Sequence, residues 1–234
     1  MINILILFIY NETDEYKEML NLQQLYVNTH KNIDSYFVTY RENQINKIEV
    51  ENDIIYVKGQ EGMLNILYKT LKAIEYLTTL KKYDYVIRTN ISTFLHLNKI
   101  YNIFLNNVSR HNVYSGLNCF QLTGYRDKNA GLTDKSFNLY GIKECFFFQG
   151  TCIIFSIDVI NYMLENQNKF IYNVIDDISI ALFMRSFMNN VYLTGLTYKI
   201  LNNEYIIRNK TDNFRENDII NIKKNVNTYL SSLN

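Results

Sequence analysis

Short apolar runs alternate along this chain with stripes at helical spacing. Ile2–Ile9 is an apolar run followed by the turn-prone Asn11, and it reads as a strand buried on both faces. Glu12–Thr29 has helical spacing. Asp34–Tyr40 predicts a second strand, and Asp53–Val57 a third after a polar, hairpin-like stretch. Glu61–Leu80 is the clearest helix, with Leu64, Leu67, Leu71 and Ile74 on one stripe and Asn65, Lys69 and Lys72 on another face. Tyr83–Arg88 and Phe146–Ser156 read as strands, Ile157–Asn166 as a helix, and Asp176–Met188, apolar almost all round, as a buried helix. A closing helix, capped by Asn213, carries the stripe Ile219, Ile222, Val226 and Leu230.

Strands alternating with helices predict an α/β fold, with a mostly parallel central sheet flanked by helices. A ligand then belongs at the carboxyl ends of the strands. After Val113–Gly116, the glycine-dotted stretch Leu117 to Glu144 has no clean periodicity and reads as an acceptor-side loop. Neither an internal repeat nor a linker interrupts the pattern, so residues 1–234 are expected to form a single domain.

Composition narrows the function. Apolar residues make up 47% of the chain, enough for a sizeable core. A net charge of +1 argues against a nucleic-acid groove or an acidic-lipid patch. Cys119, Cys145 and Cys152 cannot all pair and lack zinc-ligand spacing, which suggests a reducing compartment. Ile2–Ile9 is far shorter than the roughly 20 apolar residues of a membrane span and lacks a basic n-region, so a soluble, cytoplasmic protein is expected. Dinucleotide-binding, P-loop and nucleophile-elbow glycine motifs are all missing.

Four segments carry a resemblance: Asn65-Ile-Leu-Tyr-Lys-Thr-Leu71, Arg88-Thr-Asn-Ile-Ser-Thr-Phe-Leu-His-Leu97, Phe148-Gln-Gly-Thr-Cys-Ile-Ile-Phe-Ser-Ile-Asp158 and Asp176-Asp177-Ile178. In order and spacing they resemble glycosyltransferase family 31, the β-1,3-galactosyltransferase and fringe group. The last two are also similar to family 14, the metal-independent branching N-acetylglucosaminyltransferases. The resemblance implies a GT-A (Rossmann-like) fold. It also implies inverting transfer of a sugar, from a nucleotide-sugar such as a UDP-sugar, to a glycan or glycoprotein hydroxyl.

The resemblance puts Asp177 on the general-base position, a role worth about 10²–10⁴-fold in rate. The alternative for a carboxylate at a helix start is an N-cap, and that is the role expected of Asp176. Asn90 and Ser92 fall where the family's Asp-x-Asp aspartates hold Mn²⁺ or Mg²⁺. An amide and a hydroxyl carry no charge, and His30, His96 and His111 all lie in the first half of the chain. Catalysis without metal is therefore expected. Cations must then hold the leaving diphosphate; the candidates are Arg208 and Lys210 in the late loop, with Lys69 and Arg88 nearer the donor strand. For each of these, plain surface charge is the competing reading. Tyr10 and Asn11 would meet the base and ribose, or Tyr10 would only finish the core. Glu61 would approach the nucleotide, or merely favour a helix dipole. Gln149 and Gly150 would approach donor and acceptor, or mark a bulge. The rival class is a glycosyltransferase-like binding module without turnover, for which loss of the Asp-x-Asp pair is the signature.

Overall fold

The computed structural model describes residues 1–107, 110–117, 119–122, 145–187, 192–193, 205–208 and 215–233. The first strands are β1 (Ile4–Ile9), β2 (Ile33–Arg41), β3 (Ile48–Glu51), β4 (Ile54–Lys58), β5 (Tyr85–Asn90) and β6 (Thr93–Leu95). The later ones are β7 (Val113–Gly116), β8 (Cys119–Leu122), β9 (Cys145–Phe148), β10 (Cys152–Ser156), β11 (Tyr192–Leu193) and β12 (Ile206–Arg208). The helices are α1 (Asp14–Gln24), α2 (Ile66–Leu80), α3 (Leu97–Asn107), α4 (Ile157–Glu165), α5 (Asp176–Phe187) and α6 (Arg215–Ser231).

Among the described residues, eight strands form one sheet in the order β11-β7-β10-β5-β1-β2-β4-β3. β1 sits at its centre, parallel to both β2 and β5, and all six of its residues are buried. Alternate side chains of a strand face opposite ways, and the core divides accordingly. Ile4, Ile6 and Phe8 pack with Met19 of α1, Ile100 and Phe104 of α3, and Ile222 and Val226 of α6. Leu5, Leu7 and Ile9 pack with Leu67, Leu71 and Ile74 of α2, Val159 of α4 and Phe183 of α5. Helices therefore cover both faces, and burying each large apolar side chain contributes about 1.5–3 kcal/mol.

The sheet is mixed, which corrects the expectation of a mostly parallel one. β2, β4, β5 and β1 run parallel, but β10 is antiparallel to both β5 and β7, and β3 is antiparallel to β4. Parallel neighbours need a crossover connection, usually a helix. The expected strand Phe146–Ser156 is in fact two strands, β9 and β10, broken at Gln149-Gly150-Thr151, so β10 enters beside β5 from a turn. β3 and β4 join through Asn52-Asp53, where Asn52 takes a left-handed φ of 55° suited to a tight hairpin. Arg41 of β2 reaches across this hairpin to Glu49 at 3.7 Å and more closely to Glu51.

Other boundaries differ from those the spacing predicts. The first helix ends at Gln24 rather than Thr29, and the helix expected from Glu61 starts at Ile66 after a 3₁₀ turn at Met63–Asn65. Lys69, placed on the polar face by its spacing, is 1% exposed. The closing helix keeps its stripe, with Ile222 and Val226 buried and Ile219 and Leu230 packed against them. Asn213 and most of the Leu117–Glu144 stretch lie outside the described residues. No helix among the described residues is long and apolar enough to cross a membrane.

Gly116 ends β7 under tight constraint. A Cβ there would lie 2.5 Å from the Cys152 carbonyl oxygen and 2.6 Å from the Phe148 Cβ. Gly116→Ala is expected to destabilise the fold by about 1–3 kcal/mol, because backbone and core would have to shift. A urea midpoint indistinguishable from that of the parent protein would contradict this packing.

Candidate active site

A cavity of about 460 Å³ opens where β1 and β5 end, walled by residues from the start of α5, the Gln149–Thr151 turn, β12 and the start of α6. Its position follows from the topology, since parallel strands leave a crevice at their carboxyl ends. Three tethers shape it. The buried Gln23 of α1 donates from Nε2 to the carbonyls of Ile91 at 2.7 Å and Thr93 at 2.9 Å, fixing the chain after β5. The Thr89 and Thr93 hydroxyls donate to the Thr151 carbonyl at 2.6 and 3.2 Å, pinning the glycine turn against β5. β12 pairs with β6 so that Arg208 stands opposite Thr93.

The described residues singled out in the sequence all line this cavity: Tyr10, Asn11, Glu61, Lys69, Arg88, Asn90, Ser92, Gln149, Gly150, Asp177 and Arg208. Lys210 lies outside the described residues. Their chemistry divides into a buried layer of paired charges and an accessible rim.

In the buried layer, Lys69 donates to the Tyr10 carbonyl at 2.8 Å and to both Glu61 carboxylate oxygens at 2.7 and 2.9 Å. Glu61 also accepts from the Thr39 hydroxyl and the Tyr40 N–H, each at 2.9 Å. Burial pushes the Lys69 ammonium below its ordinary value while Glu61 pulls the other way. Arg88, 2% exposed, meets the Asp176 carboxylate at 2.6 Å and donates from Nη1 to the Asn90 side-chain oxygen at 2.8 Å and to the Gly150 carbonyl. A Cβ at Gly150 would lie 2.6 Å from Arg88 Nη1, so any side chain there would displace the guanidinium.

These contacts give two expected phosphate cations another part. Lys69 and Arg88 are already neutralised by Glu61 and Asp176, and a buried ion pair holds its partners strongly. Asp176 is likewise not the expected cap, since its carboxylate goes to Arg88. The Ile178 N–H in the first turn of α5 is instead taken by Asp177 Oδ1 at 2.8 Å.

Asp177 also accepts the Gly150 N–H on Oδ2 at 3.1 Å. Burial, then the Asp176 charge beside it, push its pKa up to about 6, against Arg88 and the two N–H donors that lower it. The carboxyl thus titrates near neutrality while lining a cavity, the arrangement expected of a general acid or base.

Arg208 stands on the rim, where its guanidinium donates to the Gln149 side-chain oxygen at 2.9 Å. Arg215, missed in the sequence, lines the same cavity from the start of α6, bonded to the buried Asp218 at 2.9 Å and 5.4 Å from the Tyr16 ring centre. The i,i+3 spacing of Arg215 and Asp218 is visible in the sequence; their relation to the cavity is not. Tyr16 and Met63 also line it, on elements whose ends sequence spacing misplaces. Among the described residues, no group of three or more histidine, cysteine, aspartate or glutamate side chains is placed to hold a metal ion. The side-chain oxygen of Asn90, one of the two uncharged residues singled out at the end of β5, accepts from the Arg88 guanidinium.

Comparison with known proteins finds no family model that matches the chain and no curated protein that matches it significantly.

A carboxyl that binds its proton more tightly folded than unfolded favours the folded state at low pH. That contribution is present below about 4 and is lost as pH rises through about 6. Asp177→Asn lacks this penalty. It should be more stable than the parent at pH 8 by on the order of 1–3 kcal/mol, a gap that closes below pH ~4. Urea titrations at pH 4 and pH 8 measure it, and an unchanged gap would refute the raised ionisation.

Proposed function

We propose that this chain is an inverting GT-A glycosyltransferase that moves a sugar from a nucleotide-sugar, by preference a UDP-sugar, to a glycan or glycoprotein hydroxyl without a metal ion. The observation that carries the reading is a single carboxylate, Asp177, ionising near neutrality in a cavity that also holds two rim arginines. The cavity's size suits a small-molecule ligand, and the order of the motifs along the chain supports the same class.

Asp177 takes the proton of the acceptor hydroxyl as its oxygen bonds to the anomeric carbon from the face opposite the leaving group. The bond from that carbon to the diphosphate oxygen breaks in the same displacement, and the electron pair leaves with the nucleoside diphosphate. Arg208 and Arg215 receive the growing negative charge. One cation about 4 Å from a phosphate oxygen contributes roughly 4 kcal/mol at an effective dielectric of 20, before desolvation. Asn11 and Tyr16 form the wall against which the base and ribose lie, with the Tyr16 ring suited to stacking, while Tyr10, 2% exposed, packs into the core beneath it. The paired Lys69 and Glu61 keep that wall rigid.

One observation favours a second reading, a nucleotide-sugar or glycan binding module without turnover. Both Asp177 oxygens already accept a backbone N–H, and each such bond weakens the carboxylate as a base. Thermal shift with UDP, GDP and their sugars, followed by transfer assays, separates the two; binding without transfer selects the module.

Under the catalytic reading, Asp177→Asn loses at least about 10²-fold in kcat while nucleotide binding by calorimetry stays near parental. The parent's kcat/KM falls on the acid side with a midpoint of about 6, and EDTA leaves the rate unchanged. Near-parental turnover by Asp177→Asn removes the base assignment, and strong activation by Mn²⁺ removes the metal-free mechanism.

A further inference from the structure

Arg88 is a charge in a costly place. It stands within β5, between Ile87 and Thr89, beside the sheet's central strand and almost wholly enclosed. An apolar residue of similar volume would hold the sheet as well, since buried ion pairs are weak sources of stability. What distinguishes the guanidinium is where its contacts lead. Nη2 meets Asp176, the chain neighbour of Asp177, and Nη1 donates to the carbonyl of Gly150, whose own N–H donates to Asp177 Oδ2.

We propose that Arg88 is the positioning residue of this site, a resident cation that fixes Asp177 through two arms, Asp176 on one side and Gly150 on the other. The proposal rests on the reading of Asp177 as the base.

The cation and its Asp176 partner have opposite electrical effects on Asp177, and both are needed. Two adjacent enclosed carboxylates without a cation would hold on to a proton, leaving Asp177 neutral and unable to accept another. A cation without Asp176 would leave Asp177 beside unshielded positive charge, fully ionised but a poor base. With both in place, Asp177 stays between these limits. The other groups facing this region do not replace them. Tyr114 on β7 is pushed well above its ordinary value by burial and stays neutral. Lys69 on α2 faces Asp176 but is tied to Glu61. Arg208 and Arg215 stand at the rim of the same cavity, bonded to Gln149 and Asp218. The Gly150 arm also accounts for the glycine, since a side chain there would displace Nη1.

The test is a ¹³C NMR titration of the full chain labelled at aspartate carboxyl carbons, with the Asp177 signal identified by its loss in Asp177→Asn. Asp176→Asn keeps the volume and a hydrogen-bond acceptor for Arg88, and should move the Asp177 midpoint about one pH unit toward acid. Arg88→Gln should move it toward alkali, and the Arg88→Gln/Asp176→Asn double variant should fall between the two. If Arg88→Gln alone does not fold, the single Asp176 variant and the charge-neutral double variant still decide the matter. An Asp177 midpoint that is the same in Asp176→Asn with and without Arg88→Gln overturns the proposal and leaves Arg88 a purely structural residue. The titration needs no turnover, so the two readings fail separately. Ordered midpoints without transfer sink only the enzymatic reading. Transfer whose acid limb in kcat ignores Asp176→Asn sinks only this inference. Where both hold, the limb follows the NMR midpoint and the donor KM stays parental.

Discussion

A charge enclosed by protein must be neutralised where it stands, and that constraint organises one end of this molecule. Two cations, Arg88 and Lys69, lie within the layer below the cavity, and each is met by a carboxylate from a distant part of the chain or a neighbouring element. Asp176 lies 88 residues after Arg88 in sequence, at the start of a helix on one face of the sheet. Meeting it draws α5 and the glycine turn onto the end of β5. Glu61, fixed by Lys69, Thr39 and Tyr40, ties the entrance of α2 to β1 and β2. The cavity is the space left above these pairs, so its shape is set by electrostatics as much as by apolar packing.

The apolar layers were legible from the sequence because their signals are local. Ile4–Ile9 is apolar throughout and therefore central, while Leu67, Leu71 and Ile74 repeat at helical spacing and therefore face the sheet. What stayed hidden depends on partners far away in sequence. Lys69 looks like a solvent-facing residue until the Tyr10 carbonyl and Glu61 are placed around it. The direction of β10 was equally hidden, because the stretch from Phe146 to Ser156 reads as one strand and only Gln149-Gly150-Thr151 marks the change of sheet. Tertiary context decided both cases.

The candidate site follows the same division. Types and order along the chain were enough to collect Asp177, Gln149, Gly150, Asn90 and Arg208 around one cavity. Roles were harder to read. Asp176 and Asp177 are identical neighbours in composition, and only the direction of each side chain separates the partner of Arg88 from the group that accepts the Gly150 N–H. Arg215 escaped because its contribution depends on how α6 crosses α1, which no local spacing encodes.

The hairpin at the sheet's outer rim has a consequence for the protein in bulk. An unpaired edge offers free N–H and C=O groups that can template pairing with another copy, a hazard in a chain so rich in isoleucine, phenylalanine and tyrosine. Here that edge is β3, only four residues long and bearing Glu49 and Glu51 held by Arg41. A second molecule docking along it would bring its own pair of glutamates against the first. The charged side chains along this short edge thus disfavour pairing with a second copy there.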